Sequence, residues 1–135
     1  MVTSLPKRVL FVCAENAGWS QMAAAIAHAY GIEADSAGTT PAPEVNPRVV
    51  EVMRERGFSA PSKPKMLTGQ MVEAADYVVT MGCSLESVSP KPMTADMEKK
   101  IIDWNVEDPK GKPVEEVRNI MGQIENKVLD LNKKN

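Results

Sequence analysis

Long apolar runs and blocks of a single charge sign are both missing from this chain. Nothing approaches the roughly 20 consecutive apolar residues that span a bilayer, and Met1–Lys7 lack the apolar segment of a secretory signal. The expectation is a soluble, cytoplasmic protein with no membrane partner. Sixteen Lys and Arg stand against eighteen Asp and Glu, a formal net charge of −2 with both signs mixed along the chain. That balance is unlike the clustered basic footprint of a nucleic-acid binder, so no nucleic-acid partner is expected. Internal repeats and low-complexity segments are absent as well. Histidine occurs once, as His28 on a helical stretch where it reads as a surface residue, and cysteine twice, as Cys13 and Cys83. Two cysteines in a reducing compartment are ordinarily small buried residues; the places these two occupy argue otherwise. No cofactor and no metal is expected.

What is present is an alternation of strand and helix patterns. At 135 residues the chain has the length of one domain, 1–135, enough to bury a core without disulfides or a structural metal. Arg8–Cys13 reads as a buried strand, Ala14–Gly18 as a loop of small residues, and Trp19 or Ser20 to Tyr30 as a helix. Met22, Ile26 and Tyr30 form its stripe with Ala23 and Ala27 beside them, and Gly31 stops it. Ile32–Ala37 is a second strand, ended by the turn Ser36-Ala37-Gly38-Thr39. Asn46 caps a helix with Pro47 at its first position, Val49, Val50 and Met53 facing inward, and Gly57 at its end. Ser59–Leu67 reads as a surface loop, and Thr68 caps a short helix through Ala75.

Tyr77–Met81 is nearly continuous in apolar character and therefore a central strand, which delivers Gly82-Cys83-Ser84 to the same sheet edge as Cys13. Leu85–Lys99 reads as loop with one helical turn near Ala95–Lys99, and Lys100–Trp104 as the fourth strand, followed by the loop Asn105–Lys112. The last helix starts at Pro113, with Glu115 and Glu116 in its first turn and Lys133 and Lys134 past its end, as the macrodipole favours. Its core face is Val117, Ile120, Met121, Ile124, Val128 and Leu131. The pattern predicts an α/β fold: a four-stranded parallel sheet, doubly wound, strand order 2-1-3-4, with right-handed crossovers.

Cys13 sits where a strand gives way to a helix N-terminus, the edge at which open α/β sheets bind ligands. Backbone N–H groups at such a position stabilise a thiolate and make it a nucleophile. Asn16 tolerates left-handed backbone and is expected to hydrogen-bond toward Ser36 and hold the loop open; simple helix capping is the other reading of Asn16 and of Ser20. Asp108, held out of helical geometry by Pro109, can exchange a proton with a leaving oxygen.

These residues match a family. Val-Leu-Phe-Val-Cys13, Asn16, and then Ser20-Gln-Met-Ala resemble the anion-binding loop of the low-molecular-weight protein tyrosine phosphatases and of the thioredoxin-type arsenate reductases that share their fold. Ser36-Ala37-Gly38-Thr39 is similar to that family's Ser-Ala-Gly segment. Met81-Gly82-Cys83-Ser84 stands where the reductases carry a resolving cysteine, and Trp104 to Pro109 is similar to the Asp-Pro loop with its general acid. The resemblance implies a phosphotyrosine phosphatase I-like fold and an anion loop of Ala14, Glu15, Asn16, Ala17, Gly18 and Trp19. It implies Cys13 as nucleophile, Ser20 donating to its thiolate, Cys83 as resolving thiol, Asp108 as acid and Ser36 in support. It also implies a small oxyanion, arsenate or phosphate, or a phosphorylated molecule as substrate, and thioredoxin, glutaredoxin or a small thiol as reductant.

The family's loop is Cys, five residues, Arg, and here Trp19 stands in place of the arginine. An indole offers one N–H and no charge where a guanidinium would grip two oxygens; the loss amounts to about 1.5–3 kcal/mol of a charged hydrogen bond. Either Trp19 lies over the pocket or its ring packs on the first helix. Glu15 adds a carboxylate, which either points to solvent or makes the loop unfavourable for phosphate. Lys110 and Lys112 either supply a replacement cation or are simply solvated. Ser89 before Pro90 stands where a three-cysteine reductase has its third cysteine. Three functions follow: an arsenate reductase with a Cys13–Cys83 disulfide, a phosphatase working through cysteinyl-phosphate, and an impaired homologue serving as a binding module or thiol sensor.

Overall fold

Residues 9–13, Val-Leu-Phe-Val-Cys, are apolar without interruption, and such a run is stable only where both faces of a strand are covered. In the structure, a computed structural model that describes residues 8–58, 63–81, 101–104, 106 and 110–133, this run belongs to β1 (Arg8–Cys13), buried at every position after Arg8. β1 pairs in parallel with β2 (Glu33–Gly38) on one side and β3 (Tyr77–Thr80) on the other, and β3 pairs in parallel with β4 (Ile101–Asp103). The order β2-β1-β3-β4 is the one the alternation of patterns predicts.

Because side chains alternate along a strand, β1 feeds two cores. Val9, Phe11 and Cys13 join Val79 and Met81 on the face covered by α1 (Trp19–Ala29), α2 (Pro47–Glu55) and α4 (Val114–Lys133). Leu10, Val12 and Val78 face the other way, toward the short helix α3 (Gly69–Ala74). Helices on both faces make the sheet doubly wound. In α4, Val117, Ile120, Met121, Ile124, Val128 and Leu131 are all buried, the stripe its periodicity predicts. Phe11 and Trp104 add a tilted aromatic contact, ring centroids 5.5 Å apart.

The helix ends follow local chemistry. α1 closes on Gly31 at φ 81°, with Ile32 N–H donating to the Ala27 carbonyl at 2.9 Å, a left-handed cap. Asn46 caps α2 by accepting from Arg48 N–H at 3.0 Å, with Pro47 at the first position. Thr68 caps α3 by accepting from Met71 N–H at 3.2 Å.

Several expectations change: β2 runs on to Gly38, so Ser36–Gly38 is strand and not turn. Tyr30 does not complete the buried stripe of α1: it is 42% exposed and its hydroxyl donates to Glu125 of α4 at 2.9 Å, because it falls at the C-cap, where the helix leaves the core. In α2 the buried set is Val49, Val52 and Met53, the i, i+3, i+4 spacing of one helical face, and Val50 lies only half-buried at its flank. The segment before Leu67 is more than a surface loop, since Lys65 and Leu67 bond to Gly38 at 2.9 Å each and so pair with the last residue of β2 on its open edge. β4, described over Ile101–Asp103, stops one residue before its expected end, although Trp104 N–H still reaches the Thr80 carbonyl at 2.9 Å. Cys83, Ser89, Asp108, their neighbours Gly82, Ser84 and Pro109, and the segment 85–99 lie outside the described residues.

Candidate active site at the end of β1

β1 runs out at Cys13, and the chain must turn through Ala14–Gly18 before α1 can begin. Asn16 makes that turn in the left-handed region, φ 53°, which asparagine tolerates better than most residues. Each carbonyl of the turn is taken by a neighbour. Thr39 N–H donates to Cys13 O (3.2 Å), Thr40 N–H to Ala14 O (2.7 Å), Ala42 N–H to Glu15 O (2.9 Å) and Asn46 N–H to Ala17 O (2.8 Å). Met22 N–H takes Gly18 O at 3.0 Å and Gln21 Nε2 takes Asn16 O at 3.1 Å. In a planar trans peptide the N–H of one residue points opposite to the carbonyl before it. With six successive carbonyls anchored outward, the N–H groups of residues 14–19 turn toward the centre of the loop, the concave arrangement that cradles an anion.

Cys13, 1% exposed, stands at that centre. Asn16 N–H donates to its Sγ at 3.2 Å, and Ser20 Oγ lies 2.9 Å from it. The proton positions follow from one fixed donor. Lys65 N–H can only donate, so the Asn16 atom it meets at 3.1 Å is Oδ1; the other amide atom is Nδ2, which donates to Ser20 Oγ at 2.8 Å. Ser20 Oγ, accepting from that amide, keeps its own proton to offer to Cys13 Sγ when the sulfur is deprotonated. A sulfur that receives N–H and O–H donors is better satisfied as thiolate than as thiol.

The expected partner of Asn16 was Ser36; its amide bonds instead to Ser20 and to Lys65 N–H. The reason lies in register. Cys13 pairs with Gly38 and Phe11 with Ser36, so Ser36 sits a full pleat behind the loop and Asn16 rests against Gly38. A Cβ at Gly38 would stand 2.6 Å from Ala14 O and 3.0 Å from Asn16 N, a contact only glycine avoids. Capping does not account for Asn16 or Ser20 either: the N-cap of α1 is Gly18, with no side-chain cap bond.

Trp19, the first residue of α1, is 8% exposed and belongs to the main core cluster, packed on the helix side. Glu15 faces the rim, where its Oε1 accepts from Lys110 Nζ at 2.6 Å. Lys112 is held through its backbone, its carbonyl accepting from Arg48 Nη1 at 2.9 Å. Two contributors escaped the sequence reading. Gln21 sits at the third position of α1, where a glutamine reaches back over a helix start; that spacing was the available signal. Lys65 acts through a backbone N–H, which no side-chain letter announces.

Among the described residues, no group of three His, Cys, Asp or Glu side chains converges as metal ligands, and no helix is long and apolar enough to cross a membrane. A cavity of 340 Å³ lies at the opposite end of β1, lined by Arg8, Leu10, Asp35, Met71 and Ala75 among others, and shares no residue with the loop. The donors gathered on Cys13, and not that cavity, mark the candidate site.

The family model described as low molecular weight phosphotyrosine protein phosphatase matches residues 8–134. A protein of Halobacterium salinarum provisionally named an arsenate reductase is 38% identical over 130 residues, 90% of this chain and 87% of that one. The glutaredoxin arsenate reductase of Synechocystis sp. is 31% identical over 134 residues, 93% of this chain and 95% of that protein. Among solved structures, the arginine phosphatase of Geobacillus stearothermophilus superposes with a TM-score of 0.81 at 26% identity, covering 96% of this chain and 92% of that one.

Proposed function

The chain belongs to the low molecular weight phosphotyrosine protein phosphatase family, and we propose that within it the protein is a thiol-dependent arsenate reductase with Cys13 as nucleophile. The observation that carries the reading is the pair of donors on Cys13 Sγ, from Asn16 N–H and Ser20 Oγ, inside a loop whose carbonyls all turn outward. Cys13 thiolate attacks arsenic(V); an S–As bond forms, and an As–O bond breaks as its oxygen leaves as water after taking a proton from Asp108. Cys83 thiolate then attacks the Cys13 sulfur. The new S–S bond forms as the S–As bond breaks, and the electron pair stays on arsenic, which departs as arsenite. Thioredoxin, glutaredoxin or a small thiol reduces the Cys13–Cys83 disulfide and resets the cycle. Glutaredoxin is the reductant carried in the name of the Synechocystis relative. The roles of Cys83 and Asp108 rest on the family resemblance.

A second reading has its own observation. Trp19 is packed in the core where the family's arginine would grip the substrate, which favours a thiol sensor that has given up oxyanion chemistry. One set of assays separates the two: arsenate reduction with thioredoxin or glutathione, and hydrolysis of p-nitrophenyl phosphate, each for wild type, Cys13→Ser and Trp19→Arg. The reductase reading expects arsenate turnover by wild type, none by Cys13→Ser, and a gain of about 10² in Trp19→Arg. A wild type silent on both substrates beside an active Trp19→Arg establishes the sensor reading instead. Hydrolysis of the phosphate ester without arsenate turnover assigns a phosphatase.

A further inference from the structure

We propose that Lys110 is the cation that receives the oxyanion at Cys13, and that Glu15 keeps it at the rim of the loop until the anion arrives. The inference rests on the oxyanion reading above and adds the residue that recognises the substrate. The cradle supplies N–H dipoles, but no formal positive charge comes from the loop itself, because Trp19 occupies the arginine position and lies in the core.

Lys110 crosses to the loop from the turn before α4, its Nζ donating to Glu15 Oε1 at 2.6 Å. The carbonyl carbon of Glu15 is bonded to the very nitrogen, Asn16 N, that donates to Cys13 Sγ. The ammonium is thereby tied to the residue whose peptide bond carries the N–H donor of the sulfur. Its turn is fixed from behind: Arg48 holds Lys112 O at 2.9 Å, and Asn46, two residues before Arg48, donates its N–H to Ala17 O of the loop at 2.8 Å. The loop, the start of α2 and the 110–112 turn are thus one hydrogen-bonded unit, and the turn that carries Lys110 is held beside the loop's rim.

The lysine and glutamate side chains are 69% and 39% exposed, so water screens the pair and it holds weakly. A dianion seated among buried N–H donors makes stronger charge-assisted bonds to the same ammonium, and the flexible lysine stem allows the exchange. Glu15, hostile to an anion when read alone, acts as one resting partner of the cation.

The test uses inorganic arsenate as probe and reads how fast iodoacetamide alkylates Cys13, followed on its own peptide by mass spectrometry so that Cys83 does not interfere. Arsenate is expected to slow alkylation of the wild type. Lys110→Ala is expected to need roughly tenfold more arsenate for the same protection, Lys110→Arg to retain it, and Lys112→Ala to stay within about twofold. Protection of Lys110→Ala equal to wild type overturns the role of Lys110 and leaves the oxyanion reading standing. Equal weakening in Lys112→Ala also overturns it, since general charge would then suffice. A wild type that millimolar arsenate does not protect overturns both.

Discussion

Asn16 shows how much one residue can organise. Its backbone, at φ 53°, turns the chain around Cys13; its N–H donates to Sγ at 3.2 Å; its side chain receives Lys65 N–H and donates to Ser20. Ser20, fully buried, links that amide to the sulfur, its Oγ 2.9 Å from Sγ. Ser20→Ala removes the hydroxyl beside Cys13 Sγ, worth about 1.5 kcal/mol to a thiolate there, so alkylation of Cys13 by iodoacetamide should need about one pH unit more to reach the same rate. The same change leaves Asn16 Nδ2 buried without its acceptor and should lower stability by about 1–3 kcal/mol, read from a urea titration. An unchanged alkylation rate would mean that the sulfur draws nothing from the hydroxyl.

At the scale of elements, the site is held by what surrounds β1 and α1. The segment 39–46 runs beside the loop and takes its carbonyls, β2 brings Gly38 under Asn16, and the strand-like residues 65–67 lock onto Gly38. The helices are tied on their outer side. Arg56, at the end of α2, donates to both carboxylate oxygens of Glu125 at 2.9 and 3.0 Å, and Tyr30, at the end of α1, donates to the same side chain. Arg56 holds the Glu125 carboxyl below its usual range, with Tyr30 a smaller contribution in the same direction. A depressed carboxylate contributes stability above its unfolded value and loses it as pH falls through the folded one. Glu125→Gln should therefore cost about 0.5–1 kcal/mol at pH 7, the scale of a pair open to solvent, and the gap to wild type should close as the medium is taken below the carboxylate range. Urea midpoints at neutral and acid pH check this; a gap that persists in acid refutes it.

For the whole molecule, the heavier core lies on the face of the sheet that α1, α2 and α4 cover, and α4 supplies its longest stripe. Ile124 is fully buried there. Ile124→Ala should cost about 2–5 kcal/mol by lost burial and the cavity left behind, a large part of the roughly 5–15 kcal/mol that holds a domain of this size together. A chevron or equilibrium urea curve reads it directly, and a loss under about 1 kcal/mol would show that the face repacks. The parallel crossovers carry the strand ends to one edge of the sheet, so residues as distant in sequence as Glu15 and Lys110 meet at the rim of one loop.

Periodicity and punctuation, both local, were legible in the amino-acid sequence alone: the unbroken run of β1, the six-residue stripe of α4, the caps at Asn46 and Thr68, the stop at Gly31, and from their alternation the sheet order. The cysteine at the end of a strand, with Asn16 and Ser20 after it, was legible for the same reason. Tertiary structure alone decided the partners. Asn16 bonds to Ser20 and Lys65 N–H instead of Ser36 because register places Gly38, two residues farther along β2, beside the loop. Trp19 turns into the core and Lys110 meets Glu15 because sheet topology, and not spacing along the chain, sets which side chains converge. Backbone donors such as Thr39, Thr40, Ala42 and Asn46, which orient the whole loop, carry no letter of their own; every non-proline residue has the same N–H, and only the fold says where it points.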